Sequence, residues 1–205
     1  VPAAHADSTD EVVVAHRGAR TSKYAEGTLP AYRFAVRNRA DLLDADVRWT
    51  KAGHHRDSVG TMIILHDATL DRITNCEGRV SKWRWSSIRA KCRTDVGGQR
   101  LMRLIDLLKY GNRRGKSFTL EIKLASITDA QAKQFWKTIK NSRVQLVAKA
   151  ARLAPLNKIK KLDEADGRHR ISYAFSTRGR HRWPSASAIK NTATAVYAKL
   201  TIPRA

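Results

Sequence analysis

The stretch Glu11-Val12-Val13-Val14-Ala15-His16-Arg17-Gly18-Ala19 decides between two architectures. A β-branched apolar run ends on two ionisable residues, which reads as a buried strand that delivers His16 and Arg17 at its C-terminal end. An open, doubly wound sheet would need a G-x-G-x-x-G turn after its first strand. Only Gly18 is present here. Three further predicted strands repeat the habit. The strand at 42–47 carries Asp44 and Asp46, that at 62–66 runs into His66-Asp67, and that at 117–122 carries Glu121 just before Lys123. Ionisable groups gathered at strand C-terminal ends mark the active face of a TIM (β/α) barrel. The fold expected is therefore α/β, a TIM barrel.

Working outward, strands five to seven are predicted at 144–148, 171–175 and 195–200. Helices are predicted at 30–40, with Pro30 in the first turn, and at 101–110, stopped by Gly111. Others are expected at 129–140, N-capped by Thr128 or Asp129, at 156–163 and at 187–192. Residues 51–60 read as a polar loop. Seven strands are predicted, and the eighth strand and helix of such a barrel are expected to be missing at the Ile202-Pro203-Arg204-Ala205 end. Open edges on strands one and seven, and weak turnover, are the expected consequences.

At 205 residues and 42% hydrophobic, the chain has the size and core material of one domain. No apolar stretch approaches the roughly 18 residues of a membrane helix. The formal charge is +22. Residues 1–122 hold 22 Lys and Arg against 14 Asp and Glu, whereas residues 123–205 hold 18 against 4. Such a field favours anionic partners: a small or polymeric phosphodiester, a wall polymer or an anionic membrane surface. Nucleic acid is disfavoured, because Trp83, Trp85, Trp136 and Trp183 read as packing or surface aromatics rather than a stacking platform.

The opening Val1-Pro2-Ala3-Ala4-His5-Ala6-Asp7 contains the A-x-A pattern that ends a secretory signal peptide. Residues 1–6 are therefore read as a leader remnant, 7–205 as a single domain, and the protein as secreted. In that compartment Cys76 and Cys92 are expected to form a disulfide.

The chemistry follows from residue types. Asp44 and Asp46, spaced i, i+2, face the same side of a strand and repel each other unless a cation intervenes. With Glu121 they offer oxygen-only ligands, which select Mg²⁺ or Ca²⁺. His16 and His66 suit proton transfer near neutral pH, one as base and one as acid. Arg17 and Lys123 add positive charge for a phosphate. His5 falls in the leader, His54 and His55 in the polar loop, and His169 and His181 in Arg-rich surface segments; none is assigned a site role.

Five segments carry a resemblance: Val13-Val14-Ala15-His16-Arg17-Gly18, Glu26-Gly27-Thr28-Leu29-Pro30-Ala31, Asp44-Ala45-Asp46-Val47-Arg48-Trp49-Thr50, His66-Asp67-Ala68-Thr69-Leu70-Asp71-Arg72-Ile73-Thr74 and Leu120-Glu121-Ile122-Lys123. In this order they resemble the glycerophosphodiester phosphodiesterase family, and Cys76 with Cys92 resembles its secreted actinobacterial members. The resemblance implies a TIM barrel that hydrolyses glycerophosphodiesters to glycerol 3-phosphate and an alcohol. By motif matching it implies His16 and His66 as the acid/base pair, Asp44, Asp46 and Glu121 as ligands of a divalent cation, and Arg17, Lys123 and Glu26 as substrate-binding residues. This chain departs from the family pattern in three places: E-G-T at Glu26-Gly27-Thr28 replaces E-N-T, D-x-D at Asp44–Asp46 replaces E-x-D, and Leu101-Met102-Arg103-Leu104 replaces an apolar-Pro-Thr-Leu segment. Three alternatives stand beside the enzyme: a truncated inactive homologue, a polyanion-binding protein on the same scaffold, and a phospholipase D-like relative acting on sphingolipids.

Overall fold

In a computed structural model, the described residues are 12–53, 59–167, 171–177, 185–192 and 195–198. Residues 1–6 with His5, then His54, His55, His169, His181, Trp183 and the segment 202–205, lie outside them.

Among the described residues seven strands and six α-helices follow one another: β1 (Val14–His16), α1 (Leu29–Arg37), β2 (Leu42–Trp49), β3 (Met62–Ile64), α2 (Trp85–Lys91), α3 (Leu104–Arg113), β4 (Ser117–Ile122), α4 (Asp129–Ile139), β5 (Leu146–Ala150), α5 (Leu153–Asp166), β6 (Ile171–Thr177), α6 (Ala186–Thr192) and β7 (Ala195–Ala198). The parallel ladder runs β1-β2-β4-β5-β6-β7. Each step after β2 crosses over through a helix, the connection that parallel pairing requires.

The third strand corrects the sequence reading. β3 is not a parallel barrel strand; it pairs antiparallel with β2, Val47 opposite Ile64 and Trp49 opposite Met62. No helix is found among the described residues between β2 and β3, whereas a parallel crossover is usually carried by one. β2 is accordingly longer than predicted. Leu42–Val47 pair with β4, while Arg48 and Trp49 extend past the ladder to meet β3. Among the described residues β1 pairs with β2 alone and β7 with β6 alone.

Alternation along the central strands separates two environments. Leu43, Ala45 and Val47 of β2, Phe118, Leu120 and Ile122 of β4, and Leu146, Ala148 and Ala150 of β5 all enter the main core with the helices. The intervening residues, including Asp44, Asp46, Thr119, Glu121 and Lys149, are thereby directed to the opposite side. β1 does not fit the buried-strand reading: Val12, Val13 and Val14 are 64%, 50% and 43% exposed, because this edge strand has a partner on one side only. Of its residues Ala15 joins the core.

The C-terminal end of α3 also differs from expectation. α3 runs through Gly111 to Arg113, so this glycine is no stop signal. A Cβ at Gly111 would stand 2.2 Å from Phe118 Cζ, so Gly111 is the point where α3 packs directly onto β4. α4 has the expected Thr128 cap, closed as a capping box with Gln131.

Residues 65–103 form a satellite beside the sheet. Ile63, Leu65, Leu70, Cys76, Val80, Ile88, Cys92 and Leu101 build a second small core, with Trp83 and Trp85 packed against it. Cys76 and Cys92 are bonded as expected, with Cα atoms 5.5 Å apart. The short β3 joins both cores: Met62 and Ile64 face the main one, Ile63 and Leu65 the satellite.

Candidate active site

Strand register places the first layer of the site. His16 lies opposite Asp44, and Asp44 opposite Thr119. One pleat further along, Asp46 lies opposite Glu121, and Glu121 opposite Lys149. The two layers share one side of the sheet. β3 brings the last member by a different route. Leu65 N–H donates to Asp46 O at 3.0 Å, so the chain leaving β3 descends along β2 and sets His66 near the level of Asp46. The expectation that both histidines sit at strand ends pointing the same way was thus wrong in mechanism. An antiparallel strand instead brings His66 beside Arg17, Glu26 and Asp46.

A continuous chain of polar contacts joins the predicted residues. His16 Nδ1 stands 2.6 Å from Asp44 Oδ2, and Asp44 Oδ1 accepts from Lys149 Nζ at 2.5 Å and from Thr119 Oγ1. Lys149 Nζ is 3.8 Å from Glu121 Oε2, and Lys123 Nζ donates to Glu121 Oε1 at 2.6 Å. Lys123 Nζ lies 3.1 Å from Asp46 Oδ1, and Arg17 Nε 3.0 Å from Asp46 Oδ2. Arg17 Nη1 donates to Glu26 Oε1 at 3.2 Å. Arg72 bridges Glu26 and Asp67, and Asp67 Oδ1 is 2.6 Å from His66 Nδ1. All eight residues singled out from the motifs lie on this chain.

Both histidines are held by carboxylates. An ionised carboxylate only accepts, so Nδ1 is the donor in each ring and Nε2 is left facing away from the carboxylate. The rings differ in exposure: the His16 side chain is 65% accessible and that of His66 19%. Burial pushes His66 below the ordinary imidazole value, partly opposed by its hydrogen bond to Asp67. Burial alone would raise the Asp44 carboxyl, but the hydrogen bond from His16, the charge of Lys149 and the Thr119 hydroxyl hold it well below the usual carboxylate range. Glu26 and Asp67 are likewise lowered: burial raises each, and Arg72, with Arg17 at Glu26 and His66 at Asp67, outweighs it.

Local backbone explains two motif positions. Arg17 has φ 58°, in the left-handed region, and its amide donates to Asp44 O at 3.0 Å. Strain of this kind persists where surrounding contacts over-determine it. Gly27 has φ +72° and sits against Ile64. Glycine and asparagine are the residues that tolerate this conformation, so Gly27 keeps the turn that the family's Asn would make and gives up its side-chain hydrogen bonds. Thr28 then caps α1, and Tyr32 of that helix donates its hydroxyl to Asp44 O at 3.0 Å.

Sequence reasoning missed several members. Lys149 is 4% exposed on β5, and the predicted strand ended one residue before it. A lone cation in the apolar run Leu146-Val147-Ala148-Lys149-Ala150 was the available signal. Arg48 donates to His66 O through Nε at 2.9 Å and Nη2 at 2.6 Å, and to Lys123 O through Nη1 at 3.1 Å, tying β3 to β4. Arg48, His66, Glu121, Lys123 and Arg152 line a cleft of about 280 Å³. Arg17, Glu26, Asp46 and His66 surround a smaller adjoining void.

Among the described residues no three or more His, Cys, Asp or Glu side chains are arranged as a ready cation site; Lys123 and Lys149 stand among the carboxylates. No helix of the described residues is long and apolar enough to cross a membrane.

Comparison with known proteins gives this geometry a lineage. The model of the glycerophosphoryl diester phosphodiesterase family matches residues 16–195. A glycerophosphodiester phosphodiesterase of Caldanaerobacter subterraneus subsp. tengcongensis is 30% identical over 117 residues, 55% of this chain and 45% of that protein. One from Bacillus altitudinis is 31% identical over 77 residues, 38% of this chain and 28% of that protein. The matches therefore span less than half the length of these relatives. The crystal structure of glycerophosphodiester phosphodiesterase from Agrobacterium tumefaciens superposes with a TM-score of 0.61 at 15% identity, covering 91% of this chain and 95% of that one, and shares the α/β TIM-barrel fold. With 180 consecutive positions from His16 to Ala195 under the family model, this chain belongs to the glycerophosphoryl diester phosphodiesterase family.

Proposed function

We propose that this chain hydrolyses glycerophosphodiesters to glycerol 3-phosphate and an alcohol, with His16 and His66 as the acid/base pair. The observation that carries the reading is the unbroken polar chain from His16 through Asp44, Glu121, Asp46 and Glu26 to His66. His66, held neutral by burial, accepts the proton of the glycerol hydroxyl neighbouring the phosphate as its oxygen attacks phosphorus. His16, as imidazolium against the Asp44 carboxylate, gives its proton to the departing alkoxide. The product of that step is a cyclic phosphate. Water opens it with the two roles reversed, as proton balance requires. The roughly 280 Å³ cleft, lined by Arg48, Lys123 and Arg152, suits a single phosphodiester headgroup.

A divalent cation, Mg²⁺ or Ca²⁺, is part of the proposal. The feature that supports one is Asp46, whose two carboxylate oxygens are buried without a hydrogen bond. Lys123 and Arg17 approach them at ion-pair distance but not at hydrogen-bonding angles. Asp44 and Glu121 complete the proposed oxygen set. When bound, the ion supplies Lewis-acid polarisation of a phosphate oxygen. Arg17 and Lys123 position the phosphate, and Glu26 orients Arg17. Secretion is also proposed, supported by the disulfide. The charge of +22 supports action at an anionic wall or membrane surface.

The test is release of glycerol 3-phosphate from glycerophosphocholine with Mg²⁺ or Ca²⁺. His66→Ala is expected to lower kcat by about 10²–10⁴-fold with an unchanged thermal melt. Equal turnover in the variant overturns the assignment. Glycerophosphocholine left intact while sphingomyelin loses choline would indicate the sphingolipid relative instead.

A further inference from the structure

Lys149 has no part in the chemistry described above, yet it places a charge in a buried position, the residue being 4% exposed. Its Cα lies on β5 opposite Glu121. Its side chain crosses β4 to reach Asp44 on β2, with Nζ at 2.5 Å from Asp44 Oδ1 and 3.8 Å from Glu121 Oε2. A buried ammonium persists only where anions compensate its lost hydration. Here the compensating anions are two of the three carboxylates in the proposed cation set. Asp44 has no oxygen to spare: Oδ2 faces His16, and Oδ1 accepts from both Lys149 and Thr119. Glu121 is shared between Lys149 and Lys123. Three clustered carboxylates are thus stabilised without any metal, and the ammonium stands on the oxygens the metal would use.

We propose that Lys149 is a built-in competitor cation: its ammonium neutralises Asp44 and Glu121 and opposes entry of the divalent ion, so that ion binding is weak and requires the Lys149 side chain to give way. The inference rests on Asp44, Asp46 and Glu121 being the ion's ligands. Like charges a few ångströms apart in a partly dehydrated site repel strongly, so removing the ammonium should tighten ion binding substantially.

The experiment is calorimetric titration of the whole chain with Mn²⁺, alongside thermal melts with and without the ion. Lys149→Met, which keeps the length and removes the charge, is expected to bind Mn²⁺ at least about tenfold more tightly than the parent chain. Without Mn²⁺ it should melt lower than the parent, since two buried carboxylates lose their partner, and Mn²⁺ should restore the melt. Lys149→Arg keeps the charge and should retain parent-like weak binding. Unchanged or weaker Mn²⁺ binding in Lys149→Met overturns the proposal. So does a Lys149→Met chain that stays unfolded even with Mn²⁺, because the ion should then replace the missing charge. Asp46→Asn separates the two levels. If it abolishes Mn²⁺ binding while Lys149→Met leaves it unchanged, only the competitor role fails. If Mn²⁺ binding survives Asp46→Asn and Glu121→Gln alike, the ligand assignment itself fails and the competitor role falls with it.

Discussion

The two halves of the site are held by different physics. His16, Asp44, Asp46, Glu121 and Lys149 stand on β1, β2, β4 and β5, where ladder register fixes each backbone relative to the next. His66, Asp67 and Arg72 stand on the segment that leaves β3, backed by the satellite core and the disulfide. In the sheet half, side chains meet because the pleat repeats every two residues and the strands are parallel. In the satellite half they meet because a separately packed loop presses Asp67 and Arg72 against Glu26 and His66. Arg48, on β2 but bonded to the backbone oxygen of His66, is the strut between them.

Removing the disulfide separates the halves most sharply. Cys76→Ala with Cys92→Ala releases a closed loop of about 15 residues, for which the chain-entropy model gives about 3 kcal/mol. The loss should be local: hydrogen exchange is expected to accelerate across residues 66–92 while the amides of β2 and β4 stay protected. Uniform acceleration over the sheet would show that satellite and barrel unfold as one unit.

The same division decides what could be read from sequence. The sheet half was legible because a period of two combined with an ionisable residue is a local signal. Asp44 and Asp46 are two apart in one apolar strand, and β4 was placed at its observed bounds. Lys149 escaped because a strand boundary is weakly encoded, and one residue of error at its end removed it from consideration. The satellite half was legible only as motif. Nothing local in Met62-Ile63-Ile64 distinguishes an antiparallel return from a parallel barrel strand, since both are short apolar runs. The direction of β3 is set by pairing with the extended end of β2, and the contact between Arg72 and Glu26 spans 46 residues of sequence. Gly111 misled for a related reason: a glycine that ends a helix and one that lets a helix touch a strand look alike until Phe118 is in place.

A gentler break is Arg72→Lys. The guanidinium bridges Glu26 and Asp67 at once, and an ammonium cannot reproduce that fork. Asp67 would lose the partner that orients it toward His66, so kcat should fall by roughly tenfold, the scale of a lost positioning contact. KM should change little and the melt by no more than an exposed pair contributes. Lys158→Ala, which removes an exposed pair with Asp129 far from the site, is the control. If both substitutions leave kcat unchanged, Arg72 holds the surface and not the site.

The smallest effect is in pH, and its sign separates the halves again. His66 titrates lower in the folded chain than its ordinary value of about 6.5 because burial disfavours the imidazolium. Between that depressed value and about 6.5 the unfolded chain therefore binds more protons at this residue, so stability falls as pH drops through this window. Glu26, Asp67 and Asp44 are all lowered from ordinary values near 4. Their contribution is complete above those values and is lost as pH falls through the folded ones. Urea unfolding should accordingly show a shallow loss from pH 7 to 5 owed to His66 and a steeper one below about pH 4 owed to the carboxylates. His66→Gln should flatten the first slope and leave the second. Asp44, held lowest by His16, Lys149 and Thr119, should release last, so that the satellite contacts open at a higher pH than the sheet row. A first slope that survives in His66→Gln would show that another group causes it; stability that rises on acidification from pH 7, and no longer does so in His66→Gln, would mean that the imidazole of His66 is charged in the folded protein and that its role as the initial base is misassigned.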